Sequence, residues 1–381
     1  MAQQPAAAAT TSKPPQKLQH IDQLRGVAII LVIITHVALN STHINGFVQQ
    51  ILLLGRIGVQ LFFFLSAYTL CLSMSARHDE NHVSNFYIRR FFRIAPLYYV
   101  GIAMYFLLDV NGLLKPHYYQ PPGVDYTVFN ILCNIFFIHG FVDKANNTIV
   151  PGGWSIGTEM VFYVVFPAIF ALFARVKKPV YFILPLLALV LAHVYVAVCY
   201  LIYHQEVFTN HFFYASIFNE MPVFIIGISF FFLDRLKDIK FSKVVSAVCF
   251  LGLFLLAMYL LFTLKNNITL PIFIAGISFI FLFTLFKHGQ FNIPLLTRIG
   301  QLSYSIYIFH FVFAYTIATK ISNLLGLRLN VNLIFLINLV QAIFLSMLVA
   351  IISEKLVEKP GINLGKALIK RINRPGTKKN T

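Results

Sequence analysis

His36 lies inside the first strongly apolar stretch of the chain, eleven residues after Arg25. On a helix that spacing is a rise of about 16 Å, and eleven steps of about 100° bring the two side chains to nearly the same face. Ionisable groups are costly within a membrane span and by default mark a functional site that includes a partner. An imidazole there suits general-base work, because its ordinary pKa lies near neutrality. The bland role is a snorkelling helix-end arginine and a histidine bonded to a nearby carbonyl.

Four further units carry chemistry. Arg56-Ile-Gly58-Val-Gln60-Leu-Phe62-Phe-Phe-Leu-Ser66-Ala-Tyr68 puts an arginine at one end of a span and a small hydroxyl near its middle, where close helix packing is the competing role. In Arg89-Arg90-Phe-Phe-Arg93-Ile-Ala-Pro96, Arg90 and Arg93 share a helix face, and Pro96 is expected to break or bend the chain. Arginine gives planar, bidentate contacts to phosphate, so the pair is either an anion site or a cytoplasmic anchor. Pro151-Gly-Gly153-Trp154-Ser155-Ile-Gly157-Thr158-Glu159 holds the only Trp and places a carboxylate one turn after Ser155. Glu159 is either a helix cap or, given the apolar run that follows, the partner of an Arg or His. Finally, Ser303-Tyr304-Ser305-Ile-Tyr307-Ile-Phe-His310 brings a second histidine into a span, ahead of Glu354 and Glu358.

The elements that must hold these groups are set by composition. The 381 residues are 58% hydrophobic and 11% charged, whereas soluble chains carry about 25% charged residues. A span needs about 20 mostly apolar residues, and ten stretches qualify: 24–40, 51–74, 94–109, 158–174, 180–203, 212–233, 244–264, 270–286, 302–321 and 331–352. Residues 129–141 are apolar but too short to cross, which suits a re-entrant or interfacial element. The expected fold is an all-α polytopic bundle of about ten transmembrane helices plus that short segment. Residues 1–20 read as a disordered cytoplasmic tail, 21–358 as the membrane domain and 359–381 as a basic cytoplasmic tail.

Lys and Arg concentrate in alternate loops, near 77–93, 175–178, 235–243 and 287–298 and at the C-terminal end, which places both termini in the cytoplasm. The formal charge of +17 is thereby a matter of orientation, and nucleic acid is not an expected partner. The four cysteines, Cys71, Cys133, Cys199 and Cys249, lack the close spacing of a metal site or a disulfide framework, so no metal is expected.

With these residues in order, the chain resembles the acyltransferase family 3 of integral membrane enzymes, which includes bacterial O-acetyltransferases of polysaccharide and O-antigen sugars. The resemblance covers nearly the whole chain. It rests on Asp22-Gln-Leu-Arg25-Gly26, Arg25-x10-His36, Phe62-Phe-Phe-Leu-Ser66, Arg90-x2-Arg93 with Pro96, Trp154-Ser155-x3-Glu159 and Ser303-Tyr304-x2-Tyr307-x2-His310. It departs at Gln23 and Ala67, where the family usually has Gly.

The resemblance implies acyl transfer, acetyl above all, from cytoplasmic acyl-CoA to a hydroxyl of a cell-envelope or exported glycan. His36, Glu159 and Arg25 are then catalytic, and Arg25, Arg90 and Arg93 hold the donor. Arg56, Ser66, Trp154, Ser155, Tyr304 and His310 support the site. Acyl-CoA, expected to be acetyl-CoA, is a donor substrate, and no cofactor is permanently bound. The other implied partners are a glycan or lipid-linked saccharide acceptor, the bilayer of a bacterial inner membrane and a protein of envelope polysaccharide assembly. No hydrolase-like domain accompanies the membrane domain, which is expected of a stand-alone form or one relying on a separate partner. The rival class is a transporter or flippase of a glycan intermediate, which would favour internal repeats and broken helices in matching halves. No convincing repeat is present.

Overall fold

The computed structural model describes residues 18–41, 44–77, 81–113, 126–203, 211–237, 239–264, 268–324 and 330–373. Expectations for residues 1–17, most of the N-terminal tail, and for 374–381, the end of the C-terminal one, lie outside them. Every regular element among the described residues is helical. In chain order these are α1 (Gln19–Leu39), α2 (Gly46–Leu53), α3 (Gly58–Ser75), α4 (His82–Val110), α5 (Val128–Ile135), α6 (Gly153–Arg175), α7 (Val180–Tyr203) and α8 (His211–Tyr214). They continue as α9 (Ile217–Lys237), α10 (Lys243–Thr263), α11 (Thr269–Gly289), α12 (Pro294–Gln301), α13 (Ser303–Val312), α14 (Ala318–Leu324), α15 (Val331–Ser353) and α16 (Lys359–Ile372).

Among the described residues, nine helical stretches are long and apolar enough to cross a membrane, or ten if the α12 to α14 stretch, bent by 78°, is one span. Each of the ten expected spans falls on one of them. The eight residues of α5 are about 12 Å long, too short to cross about 30 Å of hydrocarbon. This is the short element expected at 129–141.

Two local expectations change. Pro96 does not end its helix, for α4 runs unbroken through it. Within a bundle, neighbouring helices can accommodate the backbone group that a proline releases. Lys359–Ile372, within the stretch read as a basic C-terminal tail, forms helix α16. Pro360 comes just after the π-helical turn Glu354–Glu358 that carries the chain from α15 into α16. Gly361 and Gly365 then bring the helix against Phe92 and Pro96 of α4.

α1 is the hub, packed by α3, α11, α12, α13 and α15. The α1–α3 contact depends on Gly58, where a Cβ would run into the Ala28 carbonyl. That closeness sets Ser66 and Thr69 beside Arg25. α9 is the most enclosed span, whereas α7 and α10 leave most of their surface outward. Between α3, α6 and α9 the core is aromatic: Phe224 stacks on Phe162 at 3.9 Å and on Phe63 at 4.7 Å.

Candidate active site

Four helices enclose a cavity of about 90 Å³ lined by Arg25 of α1, Ser66 and Thr69 of α3, Arg90 and Arg93 of α4, and Ser155, Glu159 and Tyr163 of α6, with Ser303, Tyr304 and Tyr307 of α13 closing it. Arg25, Ser66, Arg90, Arg93, Ser155, Glu159 and Tyr304, all singled out in the sequence, thus share one space. Tyr163 and Tyr307 join them without having been singled out as site residues. Tyr307 already stood in the Ser303-Tyr304-x2-Tyr307-x2-His310 motif, whereas the signal for Tyr163 was its spacing, one turn after Glu159.

Glu159 is held from two sides. Ser66 and Tyr163 each donate to its Oε1 at 2.5 Å, one from the neighbouring helix and one from the next turn of α6. Hydrogen bonds to a carboxylate are stronger than neutral ones, so this pair fixes the side chain in the cavity wall. The Arg90 guanidinium lies over the Phe86 and Tyr163 rings at 5.6 and 5.8 Å. Its buried Nε has no hydrogen-bond partner. Arg25 donates to Thr69 at 3.4 Å and meets Asp22 at 3.7 Å, and Glu159 and Arg93 also act on it electrostatically.

The lining itself carries three guanidiniums against one carboxylate, a surplus of two positive charges. Asp22 beside Arg25 and Glu358 within electrostatic reach of Arg93 offset that surplus from outside the lining. Glu358 also accepts a hydrogen bond from Ser305. Tyr304 is pinned by donating to the Ile94 carbonyl at 2.7 Å.

At the α6 N-terminus the Tyr307 and Ser155 hydroxyls are 2.7 Å apart, and both reach the Gly152 carbonyl at 3.0 Å. Tyr307 links the cavity to the histidines, its ring centroid lying 5.5 Å from that of His310. His310 Nε2 is 3.2 Å from His36 Nδ1. Phe311 packs on both rings, at 4.1 Å from His310 and 4.4 Å from His36. Arg25 and His36 therefore belong to one assembly, Arg25 in the cavity wall and His36 just beyond its Tyr307 end.

Arg56 and Trp154 converge elsewhere, on Tyr214. The guanidinium lies 5.8 Å from that ring and the indole 5.6 Å in edge contact. Gln60 donates to the Tyr214 hydroxyl at 3.2 Å and to the fully buried Glu220 at 2.9 Å. Glu220, an acid inside an apolar span, was visible in the sequence but had not been singled out. A second buried acid, Asp234, accepts from Tyr68 at 2.8 Å and from Lys287 at 2.8 and 3.0 Å, tying α3, α9 and α11 together.

Comparison with known proteins finds relatives among acyltransferases. Peptidoglycan O-acetyltransferase OatA of Listeria monocytogenes is 30% identical over 181 residues, covering 45% of this chain and 27% of that protein. A putative O-acetyltransferase of Staphylococcus aureus (strain COL) is 24% identical over 340 residues, covering 79% of this chain and 51% of its own length. Acyltransferase MdmB of Streptomyces mycarofaciens is 28% identical over 174 residues, 43% of this chain and 42% of that protein. The chain thus matches about half or less of each of these relatives. No solved structure matches it. The profile described as "Acyltransferase domain" matches residues 18–354, a stretch that contains every cavity-lining residue and both histidines, and the chain belongs to this family, acyltransferase family 3.

Proposed function

We propose that this protein is a membrane O-acyltransferase that moves an acyl group, acetyl in the first instance, from cytoplasmic acyl-CoA to a hydroxyl of a cell-envelope or exported glycan. The observation that carries the reading is the continuity from the arginine-lined cavity, through Tyr307, to the His36–His310 pair. Arg90 and Arg93 are suited to grip the CoA phosphates, and the buried, unbonded Nε of Arg90 is a donor awaiting an acceptor. A cavity of about 90 Å³ has room for the acyl end and the adjoining part of the pantetheine arm rather than a whole coenzyme. Arg25, about 16 Å from His36 along α1, stands where the arm passes from the anion-binding end toward the base.

A sugar hydroxyl is a poor nucleophile until a base takes its proton during attack, and His36 is the residue to which we assign that role. Glu159, fixed by Ser66 and Tyr163, balances part of the guanidinium charge and keeps the arginines ordered when the donor has left. The protein is read as resident in a bacterial inner membrane, with both termini cytoplasmic and an envelope-assembly protein as a further partner. Mass and NMR analysis of envelope glycans from cells with and without the protein tests the reading. Loss of ester-linked acyl groups with the protein removed is expected; unchanged acylation with altered glycan export would favour a transporter.

A further inference from the structure

The contacts of the two histidines fix where their protons lie. His310 Nδ1 is 2.7 Å from the Tyr307 carbonyl oxygen, which only accepts, so Nδ1 carries the proton and Nε2 presents a lone pair in the neutral ring. His36 Nδ1 is 2.8 Å from the Val32 carbonyl oxygen, so it too is protonated. Its N–H is shared between that carbonyl and the His310 Nε2 lone pair, 3.2 Å away. The basic nitrogen of His36 is consequently Nε2, and its other face is held by a chain of acceptors: His36 Nδ1–H to His310 Nε2, then His310 Nδ1–H to the Tyr307 carbonyl.

The geometry points to His310 as the residue that positions the base of the acyl transfer and shares the charge it acquires. This inference rests on the proposed role of His36. As the acceptor oxygen attacks the thioester carbonyl, a C–O bond forms and the hydroxyl proton passes to His36 Nε2. The C–S bond then breaks, and the leaving CoA sulfur takes that proton back, so that acyl-CoA and alcohol become ester and CoA thiol with no other reactant. While His36 is an imidazolium, its Nδ1–H is shared between the Val32 carbonyl and the neutral Nε2 of His310, so the second acceptor spreads the charge into the His310 ring. This is the part a carboxylate plays behind the histidine of a hydrolytic triad, performed by an uncharged ring that needs no counter-ion inside a bundle. His310 is completely buried and Phe311 lies on both rings, which keeps the pair in register.

The test compares His310→Gln with His310→Leu. Glutamine presents an oxygen near the place of Nε2, whereas leucine fills the space without an acceptor. In membrane vesicles given acetyl-CoA labelled in its acetyl group, His310→Leu should lower turnover about 100-fold or more, in the range of acid–base contributions, with the KM for acetyl-CoA unchanged. His310→Gln should recover at least tenfold of that loss. Should the leucine protein fail to accumulate, His310→Ala serves as the variant without an acceptor. Equal losses in the glutamine and acceptor-free variants, full activity in both, or a loss confined to KM would overturn the inference. A parallel His36→Ala arm separates the two ideas. Full activity there removes the base itself, whereas an inactive His36→Ala protein beside fully active His310 variants removes only the relay.

Discussion

At the scale of single residues, the site depends on groups that a membrane tolerates only in company. Glu159 has two hydroxyl donors on one oxygen, each bond to a charged group worth about 1.5–3 kcal/mol. Ser66→Ala and Tyr163→Phe are each expected to lower turnover and the midpoint of thermal unfolding in detergent. The double variant should lose less than the sum, because both act on the same carboxylate. Arg90→Gln and Arg93→Gln should each weaken acyl-CoA binding roughly tenfold, or about 1.4 kcal/mol, and the native affinity should fall as salt is raised. Isothermal titration with acetyl-CoA measures both effects; unchanged affinity in the two variants would return these arginines to a purely anchoring role. His36, Arg25, Glu159 and the arginine pair were legible in the sequence because their cost in an apolar run is conspicuous. Their pairing was not: His310, itself visible in the sequence, lies 274 positions from His36, and no local pattern joins them. Tyr307 stood in a motif with no role assigned to it, and Tyr163 was hidden for another reason, since tyrosines are ordinary in apolar helices with a polar end to satisfy.

At the scale of elements, the spans were legible because each is a run of apolar residues of membrane length, while the amphipathic α16 has the composition of a solvated tail. Less visible was the segment around α5 that closes over the N-terminus of α6. His139, fully buried in a short turn outside the spans, meets the Gly153 carbonyl at 2.9 Å and the Tyr98 hydroxyl at 3.4 Å. Burial pushes its imidazole pKa below the ordinary value, so it serves as a neutral strut. Gly157 makes room for it, since a Cβ there would stand 2.6 Å from Nε2. Gly157→Ala is therefore expected to destabilise the protein by about 1–3 kcal/mol through overpacking, and to reduce turnover by displacing Ser155 and Tyr307. Combining it with His139→Ala should recover part of the thermal stability that Gly157→Ala alone removes. Additive losses in the unfolding midpoint would mean that the two residues do not oppose each other.

At the scale of the whole molecule, the charge pattern predicts an orientation for the bundle, and the proposed donor cavity gives that orientation a use. The Arg90–Arg93 end of α4 lies near basic loops and its other end near basic-poor ones, so the donor end is expected at the cytoplasmic face. Single cysteines in a cysteine-free background test this with an impermeant maleimide. Positions 177 and 240 should label only in inverted vesicles, and positions 47 and 111 only in intact cells; the reverse pattern would turn the protein over. Fold class and chemical family were readable without coordinates, because apolar length and ordered motifs are properties of the chain. The cavity is lined by side chains from helices distant in sequence, so no local pattern records it. The central claim is that His36, at the Tyr307 end of an arginine-lined donor cavity, is the base of an acyl transfer. Membrane vesicles supplied with acetyl-labelled acetyl-CoA on the cytoplasmic side test it most directly: label should enter alkali-labile esters of the envelope glycan with the native protein and be lost in His36→Ala present at the same level. Equal labelling by the two proteins would contradict the account.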